Sequence, residues 1–219
     1  MILFVLLFIV GCVLTKDFNY GLKQITKLNS KYNTTMETYP KSINKINSML
    51  NDFEDLKKLQ LKTGQELFNY IIGYRMLNLE AEKLYIGGQK YGDYGTTKNG
   101  FGCRARPFII ESASLRNSSA VKGFEAVNLL REFVGKYPKE SASAGLSFKN
   151  ALFLNATFYQ VSQDAVSDSN IINYFCPENE TLEIYKQNFR KGTNFSKDYI
   201  NNLTYDEAVK IWKKIVDAS

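Results

Sequence analysis

At 219 residues, with 44 % hydrophobic and 14 % aromatic side chains, the chain has enough apolar material for one folded domain and too much for intrinsic disorder. Its net charge of +6 comes from lysines and arginines placed singly or in pairs, with no block of five or more, which argues against nucleic acid as a partner and leaves a solvated surface with a mild pull on small anions. The chain holds no histidine, so Ser–His–Asp triads, Cys–His pairs, imidazole metal ligands and phosphohistidine chemistry are excluded together.

The chain opens on an uncharged apolar run, Ile2–Leu14. The run is short of the about 20 residues that cross a bilayer, and it reads as a secretory signal peptide over residues 1–15. The alternative is a lipoprotein box at "IVGC", with Cys12 as the lipid acceptor. Six N-x-[ST] sequons, at Asn33, Asn117, Asn155, Asn179, Asn194 and Asn202, favour a eukaryotic secretory glycoprotein, extracellular or in the endoplasmic reticulum lumen. Membrane association then comes only through that targeting. With Cys12 removed, Cys103 and Cys176 form one disulfide or stay as two buried thiols.

After Pro40, Ile43, Ile46, Met49, Leu50, Phe53 and Leu56 mark one face of a helix. Thr63 and Glu66 form a capping box for the next helix, whose stripe is Leu67, Ile71, Tyr74 and Leu77. Residues 85–107 hold six glycines without sustained period and predict a long loop; they make no phosphate-binding fingerprint, because no strand precedes them. "FII", residues 108–110, predicts a short buried strand, with a turn at Ser112–Arg116 and a helix from Ser119 to Val134 burying Ala120, Phe124, Val127 and Leu130. "FKNALFLNATFYQV", residues 148–161, fits a strand or a helix, and "SNIINYFC" a short helix. Leu182, Tyr185 and Phe189 share a face further on. A second capping box, Thr204 with Glu207, opens a last helix with Ala208, Ile211, Trp212 and Ile215 facing inward.

Catalytic groupings are scarce. A cysteine phosphatase needs an arginine six residues after its thiolate, and those positions are Ile109 and Leu182. The carboxylate pairs in "NDFED" and "YDEA" fall on helix surfaces. No metal or cofactor motif is present, and no cofactor is expected. The exception is Arg116 in "ESASLRNSSAVKGFEAV", residues 111–127, at the expected strand-to-helix turn. A guanidinium beside a helix start is suited to phosphate; the plainer reading is a surface arginine before a serine-capped helix.

The segment resembles the histidine acid phosphatases, within them the multiple inositol polyphosphate phosphatase (phytase-like) branch, through Ser112, Ser114, Arg116, Ala120, Val121 and Phe124. "LQLKTGQELFNYIIGYRM", before that segment, and "DSNIINYFCPENETLEIYKQNFRKG", after it, are similar to other pieces of that family in order and spacing. The resemblance implies an α/β fold: a partial phosphatase-like core over residues 16–135 and a mainly helical cap over 136–219. It implies a phosphate-holding role for Arg116 and a phosphorylated small molecule, an inositol polyphosphate, as partner. The family's R-H-G-x-R-x-P motif falls on "TTMETYP", where Thr34 and Thr38 replace the arginines and Thr35 the histidine. Without nucleophile and proton donor, the chain as written is expected to be inactive: a fragment, or a secreted non-catalytic binding glycoprotein. An unrelated lipoprotein is the third reading.

Overall fold

The computed structural model describes residues 2–99 and 105–175, together with Thr204 and Glu207. Its elements are α1 (Ile2–Lys31), α2 (Ile43–Lys57), α3 (Gln65–Asn99), α4 (Arg106–Lys136), α5 (Pro138–Ser143) and α6 (Phe148–Phe175). The expected α/β core is thereby corrected. Every regular element among the described residues is a helix, and none of these residues forms a strand. Phe108–Ile110, expected as a strand, lie in the first turns of α4, which starts at Arg106 and carries Pro107 in its first turn. A three-residue apolar run carries no period of its own and takes the state of its neighbours.

α4 is the central element, with α3 on one side and α6 on the other, while α2 and α1 lie against α3. α3 and α4 run antiparallel: Gly95 meets Phe108, Gly88 meets Ser112 and Arg116, and Gly73 meets Leu129. Of the glycine-rich stretch expected as a loop, residues 85–99 are instead the second half of α3, and residues 100–104 lie outside the described residues. Gly88, Gly92 and Gly95 follow at helical spacing on one face, and a Cβ on Gly88 would stand 2.9 Å from the Ser112 carbonyl oxygen. Each glycine costs a helix about 1 kcal/mol against alanine, and the close approach of α4 offsets that cost.

The expected apolar faces are present where the sequence has a clear period. Ile46, Met49 and Phe53 of α2, Leu67, Ile71 and Tyr74 of α3, and Ala120, Phe124, Val127 and Leu130 of α4 are all buried. α4 begins well before Ser119, however, since its small residues Ser112, Ala113 and Asn117 are buried along the same helix. "FKNALFLNATFYQV" is helical and continues through "SNIINYF" as α6, whose Ala151, Leu152, Asn155, Ser162, Ala165 and Ser169 are buried. One core cluster takes in Phe18, Ile25, Phe53, Phe68, Phe133 and Leu152, so helices on both sides of Lys136 share it.

Thr63 lies two residues before α3, which starts at Gln65. Its backbone N–H and its hydroxyl both donate to the Asp17 carboxylate, each at 3.1 Å, tying the start of α3 to α1. The second capping box is formed: the Thr204 N–H donates to Glu207 Oε2 at 2.8 Å and the Thr204 hydroxyl to the same oxygen at 2.7 Å. Ala208, Ile211, Trp212 and Ile215, like Leu182, Tyr185 and Phe189, lie outside the described residues.

The tightest approach is between α4 and α6, where a Cβ on Gly123 would lie 2.1 Å from the Phe158 ring. Gly123→Ala is expected to destabilise the fold by roughly 1–3 kcal/mol in urea denaturation, in spite of alanine's better helix propensity. Part of the loss should return in the Gly123→Ala, Phe158→Leu double variant. An unchanged midpoint in the single variant would show that α6 simply moves away.

Candidate functional site

Two arginines organise the polar interior. Arg75 sits on α3 between Ile71, Ile72 and Leu79, and its side chain is wholly buried, at 0 % exposure. Its Nη1 donates to the Met36 carbonyl oxygen at 3.0 Å and its Nη2 to the Thr38 carbonyl oxygen at 2.6 Å. The Thr34 hydroxyl and the Asn29 side-chain oxygen stand at 3.4 Å from Nη2. The Tyr39 ring covers the guanidinium, 4.6 Å from centroid to Cζ. Burial draws the Arg75 pKa down, against the pull of Tyr39 and Tyr74, and burial also pushes the Tyr39 hydroxyl up to about 12. Carbonyl and hydroxyl dipoles and a π-face thus hold this cation.

The cage is built from the segment that the phosphatase resemblance marks as its degenerate motif. Thr34 and Thr38 contribute to Arg75 as described. Thr35 and Thr38 instead close the turn: the Thr35 N–H donates to Thr38 Oγ1 at 2.7 Å and the Thr38 N–H to Thr35 Oγ1 at 3.3 Å. These three threonines therefore serve to shape a connector around a buried cation. Sequence reasoning passed over Arg75, although an arginine in phase with Leu67, Ile71 and Leu79 on an apolar stripe is a detectable signal.

Arg116 is placed otherwise than at a strand-to-helix turn. It lies in the middle of α4, where Nη1 donates to Asp168 Oδ2 of α6 at 2.8 Å. Its side chain is 20 % exposed, and its Cγ packs against Gly88 of α3. Ser112, one turn earlier, shares this face and is buried, while Ser114 is exposed on the outer side of α4. The three residues thus do not converge on one point. Burial pushes the Asp168 carboxyl up, Arg116 pulls it down and Asp164 adds to the rise, leaving it above the usual carboxylate range. The pair closes a polar seam where α3, α4 and α6 meet.

The sequons divide by position. Asn33 is exposed on the turn after α1, at φ 54°. Asn117 and Asn155 are buried within α4 and α6, where a glycan would displace helix packing. Cys103, Cys176, Asn179, Asn194 and Asn202 lie outside the described residues. Among the described residues, no three His, Cys, Asp or Glu side chains come together as metal ligands.

Removing Arg75 leaves the Met36 and Thr38 carbonyls without their donors. Arg75→Met is expected to cost at least about 3 kcal/mol in urea denaturation. Arg75→Lys should recover little of it, because a point charge cannot fork to both carbonyls. A loss near zero would mean that the connector finds other partners.

Glu82 supplies a pH test. Burial pushes its carboxyl up, and Lys41, whose Nζ is 3.6 Å away, only partly offsets this. The folded protein then holds the proton to higher pH than the unfolded chain, so Glu82's contribution is greatest in acid and is lost as pH rises through the raised value. Glu82→Gln is expected to flatten that decline above the ordinary glutamate range and to stabilise the protein at neutral pH. Parallel stability curves for the two proteins would sink this assignment.

Compared with protein-family models, curated proteins and solved structures, the chain matches none, so no match accompanies the resemblance to histidine acid phosphatases.

Proposed function

We propose that the protein is a non-catalytic glycoprotein of the secretory pathway, a helical module that works by binding. The observation that carries this reading is the state of Arg116. The residue that would hold a substrate phosphate is instead engaged by Asp168 within the helix packing. The motif threonines are likewise committed, to Arg75 and to their own turn. With no histidine in the chain, a phosphohistidine route has no nucleophile. The uncharged leader and the exposed sequon at Asn33 support secretion and glycosylation.

The experiment is expression from a eukaryotic secretory host, followed by glycan analysis and a ligand assay. Secreted protein is expected to carry glycan at Asn33 and to lose it in Asn33→Gln. It is expected to release no phosphate from inositol hexakisphosphate, and inositol hexakisphosphate should leave the melting temperature unchanged. Phosphate release, or a melting-temperature rise that Arg116→Ala abolishes, would restore the phosphatase-like reading. Unglycosylated protein retained in the cytosol would remove the secretory part.

A further inference from the structure

α1 carries a basic stripe that the helix packing does not use. Lys16, Tyr20, Lys23 and Lys27 follow at spacings of four, three and four, which puts them on one face of the helix. All four are exposed, Tyr20 to 51 %. None of the three lysines has an ion-pair partner among the described residues, whereas Lys31, on the last turn, is taken by Asp52. Asp17, the one acidic residue of α1, is engaged by both donors of Thr63. Lys62, exposed beside Thr63, adds a further positive charge near the start of the stripe. The same helix runs without a break from the uncharged segment Ile2–Leu14 into this stripe.

We propose that this face of α1 docks on a lipid surface that carries anionic headgroups. The lysines meet the headgroup phosphates and carboxylates with their ammonium ends, and Tyr20 sits at the interface with its ring toward the acyl region. The uncharged run, kept on the chain as an uncleaved secretory leader continuous with the rest of α1, supplies the apolar component. One short apolar segment anchors a protein only marginally, and a basic patch beside it makes the attachment stable. A soluble polyanion would also engage lysines, but it gives no role to an exposed tyrosine among them or to the apolar run on the same helix.

The test is co-sedimentation of the full chain with phosphatidylcholine vesicles, with and without phosphatidylserine. The wild type is expected to bind the anionic vesicles at least about tenfold more tightly, with the preference fading as salt is raised. The K16E/K23E/K27E variant should lose the preference while keeping its helical circular dichroism. Should that variant fail to fold, the salt titration of the wild type reads the same contact. Equal binding to both vesicles, or a preference that survives the triple substitution, overturns the proposal. So does retention on heparin resin without vesicle binding, which would assign the stripe to a soluble polyanion.

Discussion

The structure depends on a buried charge that has no carboxylate opposite it among the described residues. Arg75 must lose its water for α3 to join the core, and an uncompensated cation in an apolar interior is prohibitive. Asn29 of α1 and the connector that follows it offset much of that penalty by turning two backbone carbonyls, two side-chain oxygens and a ring toward the guanidinium. The same contacts specify the path of the chain between α1 and α2. A hydrophobic residue at this position could fill the volume but would not say where residues 34–38 should run. The cost of burying Arg75 is thereby converted into a definite register for three helices.

On the other side of α3 the packing is governed by small side chains. Gly88, Gly92 and Gly95 let α4 approach closely, and Gly123 gives the same room to Phe158 of α6. Close approach brings Arg116 and Asp168 across the α4–α6 contact at 2.8 Å. Arg116 is thus drawn inward by packing, and the polar residues around it are parts of a helix seam. This is why the chemistry suggested by its sequence neighbourhood has no counterpart in the geometry. In contrast, the charges left outward on α1 are placed where helix packing has no use for them.

Helices with a regular apolar stripe were legible in the sequence. Ile46, Met49 and Phe53, or Ala120, Phe124, Val127 and Leu130, report a period of 3.6 without any tertiary knowledge, and all of them are buried. The capping box at Thr204 and Glu207 was equally local and formed as read. The glycines of residues 87–95 were misread as a loop because their helical state is imposed by α4, a partner that local sequence does not announce. The three apolar residues before Ser112 were misread for a related reason. Their apolar character alone suggested a strand, and the family resemblance supplied the α/β core that the helices replace. The site suffered most, since the role of Arg116 depends on Asp168, 52 residues away, and that of Arg75 on a connector recognisable only once folded.

The contrast between the two arginines sets up two tiers of opening. The connector is held by polar contacts to Arg75 and by Tyr32, Met36 and Tyr39 at the edge of the core. When residues 32–40 lift away, Arg75 regains water as its carbonyl partners do, and Tyr32, Met36 and Tyr39 leave the edge of the core while the contact of α3 with α4 stays closed, so the excursion remains a local event. The glycine seam has no such partial state. With backbones this close, α3 cannot part from α4 without admitting water along the aromatic core that both helices cover, and separation there amounts to loss of the whole fold. The protein can therefore loosen one end of its first connector many times over before its centre opens once.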